Sequence, residues 1–110
     1  MPNYTSANTV VELLSAATGV TTGAGLMVRT STLPEMMSFQ TVITGAPTGV
    51  TVTLEGSLDG TNFFLMDTTT LATGEIRFIS YKPVMYVRAK LTVLTGGTAP
   101  TVTVLFLAVN

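Results

Sequence analysis

The sequence predicts an all-β fold, an antiparallel β-sandwich or jelly-roll-like domain of about eight short strands. Apolar and polar residues alternate with a period of two along most of the chain. Turn signals recur at short spacing, and valine and threonine fill the runs between them. Helical periodicity is hard to find.

Taken in order, the expected strands lie near 8–16, 25–31, 36–44, 50–57, 63–69, 75–81, 86–94 and 101–109. The first, "NTVVELLSAA", is ambiguous, because Val10, Leu13 and Leu14 also fit a turn of helix; it is read as a strand. Met37, Phe39, Thr41 and Ile43 alternate with Met36, Ser38, Gln40 and Val42. Val50, Val52 and Leu54 face away from Thr51, Thr53 and Glu55. Ile76, Phe78 and Ser80 oppose Glu75, Arg77 and Ile79, and Val87, Ala89, Leu91 and Val93 oppose Arg88, Lys90 and Thr92. Such strands bury one face and wet the other, as antiparallel sheets do. Between them fall "TGAG", "GAPTG", "LDGTN", "ATG", "YKP" and "TGGTAP".

The chain of 110 residues is expected to form a single domain over residues 8–110, with residues 1–7 as a possible N-terminal arm. A chain of this mass buries roughly 65% of its unfolded surface, enough for a modest core. Its N-terminus lacks the pattern of a signal peptide, and its longest nearly apolar run, "VTVLFLAV", is too short to span a bilayer. No membrane association is expected.

Charged residues make up 10% of the chain, well under the roughly 25% usual for a soluble domain. Such a surface suits a protein partly covered by partners. The 22 threonines fill part of the polar gap, on the outer faces of strands. Net charge is −1 and the densest basic grouping is Arg88 with Lys90, so no nucleic-acid footprint is expected.

Cysteine and histidine are absent. Disulfides, Cys–His or Ser–His nucleophile pairs, and zinc sites built from those residues are excluded. Lys82 and Lys90 have no Ser–Lys motif around them, and "GVTTGAG" lacks the lysine of a phosphate loop. No catalytic residue, metal ligand or cofactor is expected, and the protein is read as a non-enzyme.

"GSLDGTNFF" carries the one conspicuous aspartate. Asp59-Gly60 is a hairpin signal, since the turn needs positive φ. Glu55, Asp59 and Asp67 do not follow the ligand spacing of a calcium loop. Asp59 and Gly60 are therefore read as a structural turn, with Phe63 and Phe64 opening the return strand, one ring in the core and one opposite.

The last strand is apolar on both faces: Val102, Val104, Phe106 and Ala108 on one, Leu105, Leu107 and Val109 on the other. It is either a central strand under a loop or arm, or one covered by another subunit. Arg88 and Lys90 are either solubilising strand residues or contacts to acidic groups on a partner. Tyr86 covers one of their stems or joins that contact. Leu105, Leu107, Val109, Tyr86, Arg88 and Lys90 together form the expected subunit or capsid interface.

Three motifs in the C-terminal half carry a resemblance. Gly56, Ser57, Asp59, Gly60, Asn62 and Phe63 form "G-S-x-D-G-x-N-F"; Tyr86, Val87 and Arg88 form "Y-V-R"; and "GGTAPTVTV" spans 96–104. Together they resemble small β-sandwich structural proteins of tailed bacteriophages. The resemblance implies a virion component, foremost a capsid decoration or cement protein on the outer head surface. It implies the major capsid protein as partner, a homo-oligomer with a trimer favoured, and synthesis in the host cytoplasm. Two alternatives accompany it: a tail, neck or fibre-base virion protein, and a discoidin-like carbohydrate-binding module, which "S-x-D-G-x-x-F" with "Y-V-R" also resembles. The absence of tryptophan weighs against the last.

Overall fold

Alternating β-branched and polar residues favour extended backbone, because two heavy atoms on Cβ restrict χ1 and pack well on a pleated surface. The computed structural model describes residues 4–6, 9–29, 36–80, 82 and 84–109. Among them are ten strands: β1 (Tyr4–Ser6), β2 (Val11–Ala17), β3 (Thr21–Thr22), β4 (Leu26–Arg29), β5 (Met36–Thr44), β6 (Gly49–Ser57), β7 (Phe64–Thr69), β8 (Ile76–Ser80), β9 (Tyr86–Thr95) and β10 (Thr101–Val109). The described residues contain no helix. Eight of these strands are the expected ones; β1 and β3 are additional and short. Residues 4–6, within the expected arm, pair in parallel with β4.

Two sheets face each other. One runs β1-β4-β9-β6-β7, with β3 also on β9, and the other runs β2-β10-β5-β8. Apart from the β1–β4 pair, the strands are antiparallel. The core lies between them. Val50, Val52, Leu54, Val87, Ala89 and Leu91 project from one side, and Met37, Phe39, Val102, Val104, Phe106 and Ala108 from the other. Phe39 and Phe106 are cross-strand partners, which places two large rings side by side in the middle of the smaller sheet.

Bulges decide where simple alternation fails. On β10, Val104 pairs with Leu14 but Leu105 pairs with Glu12, so Leu13 is the extra residue. Leu13 and Leu14 both turn inward as a result. Their helix-like spacing is a bulged strand. Another bulge lies on β9: Thr51 pairs with Val93 while Val52 pairs with Leu91. Thr92 is the inserted residue, so Val93, expected in the core, turns out to solvent at 38% exposure. Leu94 packs against the core in its place.

The "GAPTG" and "TGGTAP" turns meet at one end, where the Thr98 amide donates to the Gly45 carbonyl at 2.9 Å. Any Cβ on Gly97 would strike the Gly45 carbonyl and the Ala46 backbone, so this close approach requires glycine.

Candidate interaction surfaces

The outer face of the smaller sheet follows directly from its registers. Leu107, Ser38 and Phe78 form one row across β10, β5 and β8; Leu105, Gln40 and Ile76 form the next. Val109 and Met36 extend it at one end, Thr103 and Val42 at the other. Phe78 is 72% exposed and Ile76 50%, while Leu105, Leu107 and Val109 are half-buried. The face has relief. A hollow of about 180 Å³ lies over Ser38 and Gln40, flanked by Leu105, Leu107, Ile76 and Val10. On β5, β8 and β10 no outward residue is charged; Glu12 lies on the neighbouring β2. β10 is therefore central within its sheet, with one face in the core and its other apolar face open to solvent in the single chain.

At the Asp59 turn the chain reverses between β6 and β7. Gly60 has φ of 78°. Asp59 Oδ1 accepts from the Thr61 and Asn62 amides at 2.9 Å each and from Ser57 Oγ at 2.8 Å. Its Oδ2 accepts from Asn62 Nδ2 at 2.8 Å, and Ser57 Oγ accepts from the Gly60 amide at 2.9 Å. The Asn62 and Thr61 amides, then the Asn62 and Ser57 side chains, hold the Asp59 carboxyl far below the usual carboxylate range. The Tyr86 ring rests on Gly60. This carboxylate is occupied in organising its own loop. Among the described residues, no group of three or more acidic side chains lies close enough to hold a metal ion.

Arg88 and Lys90 lie on the outer face of the other sheet, so Leu105, Leu107 and Val109 are not brought together with them. Arg88 Nε donates to Glu55 Oε1 at 2.7 Å, from the directly opposite position on β6. Its guanidinium sits 4.2 Å from the centre of the Phe63 ring. Phe63 thus supports the arginine, and it also closes on Gly25. Lys90 stands opposite Thr53 on one side and Thr22 on the other.

Phe64 does not enter the core either; it is 73% exposed. With Leu58, Leu65, Met66 and Val84 it lines an open cleft of about 430 Å³ beside the Asp59 turn. A bulge at Met66, between the Leu54–Asp67 and Glu55–Leu65 pairs, re-aims this stretch of the edge strand β7. The available sequence signal was the unbroken apolar run Phe63, Phe64, Leu65, Met66, which no half-buried strand can place on one face.

No family model matches the sequence, and no curated protein matches it. A solved structure does. The crystal structure of SPBc2 prophage-derived protein YomS superposes with a TM-score of 0.63, covering 93% of this chain and 92% of that one, at 17% identity. The two chains share a fold. The likeness runs nearly end to end, through the sheets that present both apolar surfaces.

Proposed function

We propose that this chain is a non-enzymatic structural protein of a tailed-phage virion, a decoration protein seated on the outer head surface. The carrying observation is the pair of separate exposed apolar surfaces, one on each sheet, on a sandwich with very few charges. A protein that bridges neighbours needs two contact surfaces, and large exposed apolar patches mark such contacts. The fold shared with a prophage-derived protein supports a phage origin, and the phage-like motifs of the C-terminal half agree with it.

The mechanism is physical. A ligand that binds only the assembled shell stabilises it by mass action, by about 2.7 kcal/mol at a hundredfold excess over Kd. In this reading the cleft formed by Leu58, Phe64 and Leu65 meets the major capsid protein, where burying apolar area contributes about 25 cal/mol per Å².

Co-sedimentation of the purified protein with expanded heads of its phage tests the reading, with isolated tails as the comparison. Saturable binding to heads, weakened by Leu65→Asp, is expected. Binding to tails alone, or to neither, overturns it.

A further inference from the structure

We propose that two copies of this chain pack face to face through the β2-β10-β5-β8 sheet, with Phe78 of each copy seated in the hollow over Ser38 and Gln40 of the other. The inference does not depend on the capsid reading.

Phe78 projects from β8 at 72% exposure, and the hollow beyond it on the same face has a volume of about 180 Å³. A cavity of about 150 Å³ lined by aliphatic side chains accepts a benzene ring. The hollow is therefore large enough for the Phe78 ring, with Leu105, Leu107 and Ile76 as its walls. A projection and a matching recess on one face are the requirement for an isologous contact, in which residue i meets j and j meets i. A two-fold axis lying in the contact plane, parallel to the strands and displaced from β5 towards β8, carries β8 of one copy over the space between β5 and β10 of the other. The sheets then cross at the small angle usual for aligned packing.

A partner of opposite charge would call for a charged face, whereas β5, β8 and β10 present none outward. An uncharged face meets its own copy without like-charge repulsion. Glu12 lies on β2, beyond β10 from that axis, so the rotation carries it outside the overlap.

Strands about 4.8 Å apart and rising about 3.4 Å per residue give an overlapping face on the order of 400 Å² per copy. The pair thus buries on the order of 800 Å², the size of a weak, transient contact that forms at high micromolar concentration. Phe78 at its centre is placed as an anchor of the kind that dominates such contacts.

Sedimentation equilibrium on the full chain, with circular dichroism to verify folding, tests the pairing. Twice the 11.5 kDa chain mass is expected at high micromolar concentration. Phe78→Ser should raise the dissociation constant by at least about tenfold, the equivalent of one anchor contact. Ser38→Lys, which fills the hollow with a charge from the strand opposite Phe78, should do the same. Phe64→Ser removes an equally exposed ring from the other sheet and should leave the mass unchanged. A wild-type monomer, a closed assembly of three chains, or a dimer indifferent to both Phe78→Ser and Ser38→Lys overturns the proposal.

Discussion

Arg77 and Asp67 tie the edge of one sheet to the edge of the other. Arg77 Nε donates to Asp67 Oδ2 at 2.8 Å, and Nη2 donates to Oδ1 at 3.2 Å. Asp67 pairs with Leu54 in register and Arg77 with Phe39, so both project from core-facing positions at the open side of the sandwich. Glu75 joins them, 3.6 Å from Arg77 Nη1 and bonded to the Thr69 hydroxyl. Burial alone would raise the Asp67 carboxyl, but the Arg77 hydrogen bonds, the Thr68 amide and the nearby positive charge outweigh it and lower it.

A carboxylate depressed in the folded state adds stability above its unfolded value and loses it as pH falls through the folded one. The penalty of Asp67→Asn should thus be full at neutral pH and shrink below the ordinary value of 3.8. Urea midpoints of both proteins across that range check it. A penalty independent of pH would show that the ion pair contributes nothing.

Asp59→Asn retains one oxygen for the Thr61 and Asn62 amides but sets an NH₂ against Asn62 Nδ2, so the Asn62 amide must flip to present Oδ1 as acceptor. Asp59→Ala removes all four contacts made by the carboxylate. Thermal melts should rank wild type above Asn and Asn above Ala, with the folded spectrum kept in each. Like Asp67, the depressed Asp59 carboxyl stabilises the fold at neutral pH and ceases to do so in strong acid.

Leu91 and Val93 are two residues apart, yet the Thr92 bulge places only Leu91 inside. Leu91→Ala should cost about 2–5 kcal/mol in denaturant unfolding. Val93→Thr should fall within about 0.5 kcal/mol of wild type. Similar costs for both would mean that the bulge is absent.

Ala46 and Ala99 have φ of 49° and 46°, each immediately before a proline in the two interlocked turns. An L-residue with a Cβ is strained there by roughly 1–2 kcal/mol, which glycine relieves at some entropic cost. Ala99→Gly should therefore raise stability by up to about 1 kcal/mol. A lower melting temperature would contradict the left-handed geometry.

The extended state of each long segment was legible because it depends on local pattern alone. Val50-Thr51-Val52-Thr53-Leu54 can bury one face only as a strand, and Asp59-Gly60 needs only its own neighbours to turn. The pairing of Leu105, Leu107 and Val109 as one apolar face was legible for the same reason. Partners across strands were not. Whether Val93 points inward depends on an unpaired Thr92, and whether Phe64 enters the core depends on a bulge at Met66. Both are properties of register between distant segments. Arg88 and Leu107 look alike as outward residues on neighbouring strands of the sequence, yet they lie on different sheets. Period-two alternation determines that a residue faces away from its neighbour. Only the packing of one sheet on the other decides which of the two faces is the inside.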